Sequence, residues 1–445
     1  MLLLPLLILS IILYIIGKRV SSVLIFFFFL FDGFQLIPEV LFDTHAGISK
    51  SFDFAFVYVM VLFIYGVIKY DDYIPINRVS KIIAFYLLFI VISIGISLFI
   101  YHISFVDILR TSRTYFLVLS YYVVRRLTRE ELDKLLRILF FVVLFQCVLF
   151  MIQAFTGIAI MTGAESGRTG IITRFYNVPF MAYFFVFYAI FNNPFNGWLK
   201  NLTTIIMSIT MFLPLHRSLM MAFILCLFIG VYNRISGIKN AKKTLNTLLI
   251  LFVAVFLLVG KDSGGRTIND ISNVLSGEFL DVDEDFEMSE ESTFMFRMAH
   301  FFERFMDITE SKMEIVFGAG YMTEDSNYTF NHFDYQIGLP DEITGNTVQL
   351  DTSDIAWSNF IIRYGVIGTF IFLYVLYSIT SIFHRNLKTI GLPIFLYMIL
   401  LFIISFTSDL LYQNRMLIFP FLLYNLLPHN REDKENIVNN SPLFV

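Results

Sequence analysis

The stretch that decides the fold is residues 135–156, LLRILFFVVLFQCVLFMIQAFT, in which Arg137 is the only charged residue. A helix needs roughly 20 mostly apolar residues to cross the hydrocarbon core of a bilayer. This run has the required length, and its single charge lies near one end. It therefore predicts a membrane-spanning helix.

Similar apolar runs recur on both sides of this stretch, and the spacing predicts about 13 transmembrane helices, between about 12 and 14. The predicted spans lie near residues 1–17, 22–42, 52–69, 82–101, 105–124, 135–156, 179–193, 199–214, 217–233, 244–260, 356–382, 390–409 and 411–427. The chain is 57% hydrophobic and 15% charged, whereas soluble domains average about 25% charged residues. These features predict an all-α, polytopic integral membrane protein.

Residues 261–355 differ from the rest of the chain. They contain 21 of the 36 acidic residues and 5 of the 32 Lys and Arg residues, so their net charge is −16 while the remainder carries +12. Loops longer than about 12–15 residues are usually functional or disordered. The sequence therefore predicts a membrane bundle over 1–260, a large loop over 261–355, and C-terminal membrane helices with a short tail over 356–445.

The distribution of Lys and Arg predicts the orientation, because short cytoplasmic loops are enriched in both. Nineteen cations fall on one predicted face and eight on the other, outside the large loop. The large loop is then extracytoplasmic and the C-terminus cytoplasmic. Ten of the nineteen are Lys, but seven of the eight are Arg, the residue suited to bidentate capture of phosphate. The alternative is that these Arg side chains extend to lipid headgroups.

Three of these outer arginines lie in segments suited to hold an anion. Arg168 and Arg174 share the 157–178 loop and could clamp a diphosphate, unless this is an ordinary surface loop. Arg217 follows Pro214 and His216 at the start of a predicted helix, where free N–H groups and the helix dipole favour anions. For His216 a structural role is the alternative.

Within the large loop, Arg297, His300 and Arg304 share one face of a predicted helix over 291–306. We expect an interfacial helix that holds this cationic face toward the membrane surface. An exposed amphipathic helix with satisfied charges is the alternative.

Aromatic and polar residues alternate toward the end of the loop. Tyr328 and His332 lie in one such segment, and Asp351, Asp354 and Trp357 lead into the next span. Rings mixed with carboxylates suit contacts with sugars, which makes Trp357, Tyr328 and Asp351 candidate acceptor contacts. Asp354 and His332 are candidate proton acceptors. Helix N-capping is the alternative for both aspartates.

Other motifs of catalysis are missing from the sequence. The acidic run over 281–287 lacks the Gly and the Glu of a calcium loop and is predicted to be solvated. The sequence has no P-loop, zinc-binding helix or nucleophile elbow. We therefore expect no metal and no cofactor.

The order of short motifs over roughly residues 100–375 resembles the superfamily of O-antigen polymerases (Wzy) and O-antigen ligases. The motifs are Arg168-x-Gly170, Asn177-x-Pro179, Arg217-Ser218, Arg297, Gly318-x-Gly320, Asp354, Trp357-x-Asn359 and Tyr364-Gly365-x-Ile367-Gly368. The resemblance implies a bacterial inner-membrane glycosyltransferase with an extracytoplasmic active face and an undecaprenyl-diphosphate-linked oligosaccharide as donor. Arg217 and Arg297 would then hold the diphosphate, with Arg168, Arg174 and Arg304 as further candidates.

Ligases of this superfamily carry a His-Asn pair just before the late span. Here that position has Asp354 and Asn359, and His332 lies 22 residues earlier, which favours a polymerase. The ligase is the first alternative and a glycan or lipid flippase the second. The resemblance implies membrane lipid, a chain-length regulator and a flippase as partners, and no nucleic acid.

Overall fold

A computed structural model of the protein describes residues 3–42, 50–164, 172–234, 293–341 and 345–427. The regular secondary structure of this part of the chain is helical, and one isolated β-bridge joins Tyr335 and Thr347. In chain order the α-helices are α1 (Leu4–Ile15), α2 (Arg19–Leu30), α3 (Ser51–Lys69), α4 (Arg78–Phe99), α5 (Phe105–Ser112), α6 (Ser120–Val124), α7 (Arg129–Thr156), α8 (Ala182–Phe191), α9 (Gly197–Phe212), α10 (Arg217–Arg234), α11 (Thr293–Thr309), α12 (Lys312–Phe317), α13 (Asn327–His332), α14 (Ala356–His384), α15 (Gly391–Ile404) and α16 (Ile418–Tyr424).

Five of the described helices, α3, α4, α7, α10 and α14, are long and apolar enough to cross a membrane. Shorter apolar helices include α1, α2, α8 and α15. The all-helical class is therefore confirmed for the described residues, and these helices are of the kind found in membrane proteins. The count of thirteen spans is not confirmed, and the predicted span over 244–260 lies outside the described residues.

Helix α7 shows how local sequence sets helix bounds. Thr128 accepts a hydrogen bond from the Glu131 amide at 3.3 Å, and the Glu131 carboxylate accepts one from the Thr128 amide at 2.8 Å. This capping box begins the helix. The helix ends at Gly157, whose φ of 71° is the left-handed conformation that glycine adopts readily.

Three predicted spans are not single long helices in the structure. The 22–42 span ends as a helix at Leu30, and Asp32, Phe34 and Gln35 have positive φ. The 105–124 span is divided into α5, a 3-10 turn and α6, and the 411–427 span forms helix only from residue 414. Ion pairs accompany two of these breaks: Arg415 to Asp32 at 2.6 Å and Arg113 to Asp53 at 2.7 Å.

The described part of the predicted large loop packs onto the helical bundle, with α11 and α12 both against α14. Helix α11 forms where it was predicted, but its His300 and Arg304 side chains are fully buried. The expectation that this face points to the membrane surface is therefore wrong. The face is turned inward because His300 bonds to Ser358 of α14 at 3.0 Å, and because Arg304 stacks on Tyr335 at 4.0 Å.

Helix α14 changes direction at Gly365, whose φ is 67° and ψ is −176°. Gly318 lies against this break, and its neighbour Ala319 donates a hydrogen bond to the Ile362 carbonyl at 2.8 Å. A Cβ on Gly318 would lie 2.5 Å from the Ile362 oxygen, and one on Gly365 would lie 2.4 Å from the Glu314 oxygen. The two glycines therefore allow the backbone of α14 to touch residues 314–320. These residues are the end of α12 and the turn that follows it, and we call them the 314–320 turn.

Candidate functional site

The turn before α10 places His216 and Arg217 at the start of that helix. Leu215 adopts a φ of 51°, which is unusual for a residue with a side chain. The His216 imidazole Nδ1 lies 2.8 Å from the Ser218 hydroxyl, which lies 2.6 Å from the Thr407 hydroxyl. This chain of contacts joins the turn to the segment that follows α15, and Arg217 lies beside it with an exposed side chain.

Helix α11 brings Arg297 to the same place. Its Nη2 lies 3.4 Å from Oδ1 of Asp354, which precedes α14. That distance is long for a charge-assisted hydrogen bond, which normally spans about 2.7–2.9 Å. The buried Nε of Arg297 has no hydrogen-bond partner among the described residues. Because that Nε is buried, the donors that the Arg297 guanidinium can offer to a ligand are those of its two Nη groups.

Arg174 comes from the loop between α7 and α8. Its guanidinium lies over the Tyr176 ring at 4.8 Å, and its Nε also has no hydrogen-bond partner in the described part of the chain. The loop is held by Asn177, which accepts a hydrogen bond from Gln153 at 2.9 Å, and by Gln35, which accepts one from the Phe180 amide at 3.0 Å. A polar network thus fixes the base of the loop that carries Arg174.

Electrostatics shows that these groups share one neighbourhood. The pKa of His216 is lowered to about 4, first by burial and then by the charges of Arg297 and Arg174, against the opposing effect of Asp354. We call Arg174, His216, Arg297 and Asp354 the cationic cluster. Its four members come from four separate segments, and its net charge is positive when His216 is neutral.

A second polar chain lies next to the cationic cluster. The Asp409 amide donates a hydrogen bond to the Ser353 carbonyl at 3.1 Å, one residue before Asp354. Its carboxylate accepts one from Gln413 at 2.7 Å, and Gln413 accepts one from Arg415 at 2.9 Å. Burial raises the pKa of Asp409 to about 6, although Gln413 and Arg415 oppose this rise. Our sequence analysis missed Asp409, since it lies at the end of a predicted span. Its charge in an apolar run was the available signal.

Asp351, a predicted sugar contact, is engaged within the protein. Both of its carboxylate oxygens accept hydrogen bonds from the buried Arg363, at 2.9 and 2.5 Å. The Glu324 carboxylate accepts hydrogen bonds from the backbone amides of Leu350 and Asp351, at 2.9 and 2.8 Å. This arrangement fixes the loop before α14. Neither Asp351 nor Asp354 caps α14, because the N-cap residue of that helix is Ile355.

Trp357 and Asn359 support that loop from α14. The Trp357 indole donates a hydrogen bond to the Ser405 hydroxyl at 3.1 Å and packs on Phe402 and Phe406. Asn359 forms two hydrogen bonds of 2.8 Å with the Thr352 backbone. The Asp354, Trp357 and Asn359 motif therefore corresponds to a tightly held corner beside the cationic cluster.

Arg304 is placed inside the protein and makes its contacts there. It pairs with Glu303 at 2.5 Å, donates to the Gln349 carbonyl at 2.8 Å, and has no exposed side-chain surface. Burial lowers the pKa of Arg304 to about 10, with Glu303 opposing. It lies about two helical turns from Arg297 along α11, and its Nη2 donates to the loop that contains Gln349.

His332 and Tyr328 lie together on α13. Their rings stack at 3.9 Å, and His332 Nδ1 donates to the Tyr328 carbonyl at 2.8 Å. Within the described ranges, no hydrogen bond or ion pair joins His332 to Asp354 or to Arg297. The structure thus brings together Arg174, Arg297 and Asp354 with Arg217 alongside, and places His332 and Tyr328 elsewhere. Arg168 and the 281–287 run lie outside the described residues.

Among the residues that the structure describes, no group of three or more His, Cys, Asp and Glu side chains could hold a metal ion. The cationic cluster itself supplies fixed cations, an imidazole and a carboxylate. A scan against protein-family models finds no match for this chain, and a search among curated proteins finds no relative.

Proposed function

We propose that this chain is a polysaccharide repeat-unit polymerase in the bacterial inner membrane. It would transfer a glycan from undecaprenyl diphosphate to the non-reducing end of another lipid-linked repeat unit. The bond between the anomeric carbon and the diphosphate oxygen breaks, and the acceptor hydroxyl oxygen attacks the same carbon from the opposite face. The product has the inverted configuration, and the diphosphate leaves with the electron pair.

The observation that carries this proposal is the convergence of Arg174 and Arg297 on the start of α10. Both guanidinium groups retain a buried Nε with no partner in the described ranges. Arg217 adds a third cation at the helix N-terminus, where backbone N–H groups favour an anion. Fixed donors aimed at a leaving group stabilise the charge that develops on it, and such stabilisation is usually the largest contribution to catalysis.

The remaining candidates have distinct parts in the proposal. Asp354 orients Arg297 and is the carboxylate nearest to the diphosphate site. Trp357 fixes the corner that carries Asp354. Tyr328 and His332 form a stacked aromatic surface on α13 suited to a sugar of the acceptor, with Asp351 securing the loop between the two places.

The proposal includes a topology of about 13 spans with the cationic cluster on the extracytoplasmic side. The excess of Lys and Arg in the opposite loops supports that orientation. A donor carried by undecaprenyl diphosphate is held at the membrane surface, so a site at the ends of apolar helices is where its diphosphate would be found.

The test is elongation by purified protein in liposomes, supplied with a synthetic undecaprenyl-diphosphate-linked repeat unit. We expect lipid-linked chains of increasing length in the wild type and none in Arg297→Ala. Arg129→Ala changes an exposed arginine at the start of α7 and should elongate normally. Transfer only when lipid A-core is supplied would identify a ligase. Movement of the lipid across the bilayer without a new glycosidic bond would identify a flippase, and either result would overturn the proposal.

A further inference from the structure

His216 is the histidine of the cationic cluster, and an imidazole is the side chain whose unperturbed pKa lies closest to neutral pH. Three charges act on its imidazole: Arg174 on the loop before α8, Arg297 on α11 and Asp354 at the corner before α14. Ser218 of its own helix and Thr407 after α15 complete its polar surroundings. Two fixed cations and one carboxylate therefore decide whether the imidazole holds a proton.

The hydrogen-bond chain defines which ring nitrogen is free to react. Nδ1 lies 2.8 Å from the Ser218 hydroxyl, which is itself held by Thr407 at 2.6 Å. When the Nδ1–H donates to the Ser218 oxygen, Nε2 is the unprotonated nitrogen that can take a proton from a substrate. A base must lie within hydrogen-bond reach of the proton that it abstracts, and a ring fixed at Nδ1 keeps Nε2 in one direction.

An anion in the cluster would reverse the electrostatic field at this ring. Without a ligand, burial and the charges of Arg297 and Arg174 keep the pKa of His216 at about 4, so the imidazole is neutral and a weak base. Negative charge placed beside a histidine favours the imidazolium form. A diphosphate between the two arginines would therefore raise the pKa of His216 toward the pH at which general bases work best.

We infer that His216 is the proton acceptor for the attacking hydroxyl, and that anion binding in the cationic cluster makes it basic. This inference rests on the proposed function. It names the proton acceptor, a role that is left open because Asp354 is paired with Arg297. As the acceptor oxygen bonds to the anomeric carbon, its proton passes to His216 Nε2 while the diphosphate departs.

The experiment measures proton uptake when inorganic pyrophosphate binds to the purified, full-length protein in detergent. Calorimetry at pH 6 in two buffers with different ionisation enthalpies gives the number of protons taken up. At that pH free His216 is neutral. Its protonation in the complex adds on the order of half a proton if the pKa there reaches about 6. Raising the pH to 8 should remove this contribution.

Two variants isolate the histidine. His216→Asn keeps a polar group near the position of Nδ1 for Ser218 and removes Nε2, so pyrophosphate should still bind without the extra proton uptake. His384→Asn changes the exposed histidine at the end of α14 and should retain the wild-type uptake. Protonation of pyrophosphate itself is common to all three proteins and cancels in the comparison.

The outcomes separate the inference from the function on which it rests. Equal proton uptake by wild type and His216→Asn, with pyrophosphate bound to both, would overturn the role of His216 and leave the anion site standing. A wild type that does not bind pyrophosphate would overturn the diphosphate site and the inference with it. A His216→Asn variant that binds pyrophosphate and still elongates at the wild-type rate would also exclude His216 as the proton acceptor.

Discussion

Arg297 holds Asp354 through one contact of 3.4 Å, with the carboxylate half exposed and the guanidinium largely covered. An exposed ion pair of this kind contributes about 0–1 kcal/mol to stability. The ion pair matters for position, because it holds the planar Arg297 guanidinium within the cationic cluster. By contrast, Arg363 and Asp351 form a bidentate pair in which the arginine is buried, and that pair contributes to folding.

At Arg297 we expect geometry to matter more than charge. Arg297→Lys keeps the positive charge but loses the planar fork that can bind two phosphate oxygens. Chain elongation should fall by about a hundredfold to a thousandfold, which is the scale of losing one oriented donor. The rate is measured in liposomes at matched protein amounts, with Arg129→Lys as the control. Wild-type activity in the Arg297→Lys variant would leave only a general positive field at this position.

At Asp351 we expect a loss of stability. Asp351→Asn leaves the buried Arg363 without its counter-charge, a change that typically costs about 3–5 kcal/mol, less where solvent reaches the site. Asp351 is 39% exposed, so the lower end of that range applies. Thermal unfolding of the detergent-solubilised protein measures it. Asp325→Asn, at an exposed neighbouring carboxylate, should unfold like the wild type, and an unchanged melting temperature for Asp351→Asn would contradict the role of the pair.

At the scale of elements, the contact between the 314–320 turn and α14 depends on glycine twice. Gly318 and Gly365 both have positive φ, and each lies where a Cβ would strike the backbone of the other segment. This explains in structural terms why the chain has glycine in both motifs. The contact also sets the direction of α14, whose first turns carry the corner with Asp354 and Trp357.

Gly318→Ala should therefore destabilise the fold strongly. The change adds a methyl group 2.5 Å from the Ile362 oxygen at a residue whose φ is 75°. Gly345→Ala is the matched control, since its φ is 73° and its Cβ would meet nothing within 4 Å. The control should lose only about 1–2 kcal/mol for the left-handed backbone. The yield of folded protein after membrane extraction and its melting temperature compare the two, and equal losses would show that steric contact is unimportant.

At the scale of the whole molecule, charge is unevenly distributed between the segments. Residues 261–355 carry −16 and the remainder +12. A net negative charge repels a diphosphate, so donor capture in the proposal relies on local cations, Arg174, Arg217 and Arg297, rather than on the overall field.

The orientation gives a prediction at this scale. Alkaline phosphatase fused after Gly264 should be active and a green fluorescent reporter at the same place should be dark, because that segment is expected outside the cytoplasm. The reverse result is expected for fusions after Asn439. The reason is the excess of Lys and Arg in the loops on the C-terminal side of the membrane. Membrane fractionation confirms that each fusion is inserted. Both fusions in one compartment would contradict the orientation and place the cationic cluster away from an extracytoplasmic donor.

The sequence by itself determined the helical class, because twenty-residue apolar runs such as 135–156 have few structures other than a helix that satisfy their backbone in a membrane. The sequence also predicted the helix around Arg297. The capping box instead begins α7 at Arg129, before the predicted span over 135–156. Only the tertiary structure decided where helices break. Asp32 ends its helix through contacts with Ser51 and Arg415, partners that no local pattern reveals.

The candidate site divides in the same way. Residue type made Arg174, Arg297 and Asp354 candidates, since guanidinium groups suit phosphate wherever they lie. Only the tertiary structure brought them to His216 and separated them from His332, because residues from four distant segments meet through packing against α14 and the segment after α15. Burial likewise turned Arg304 inward, and a neutral His216 between two arginines is a property of that assembled neighbourhood alone.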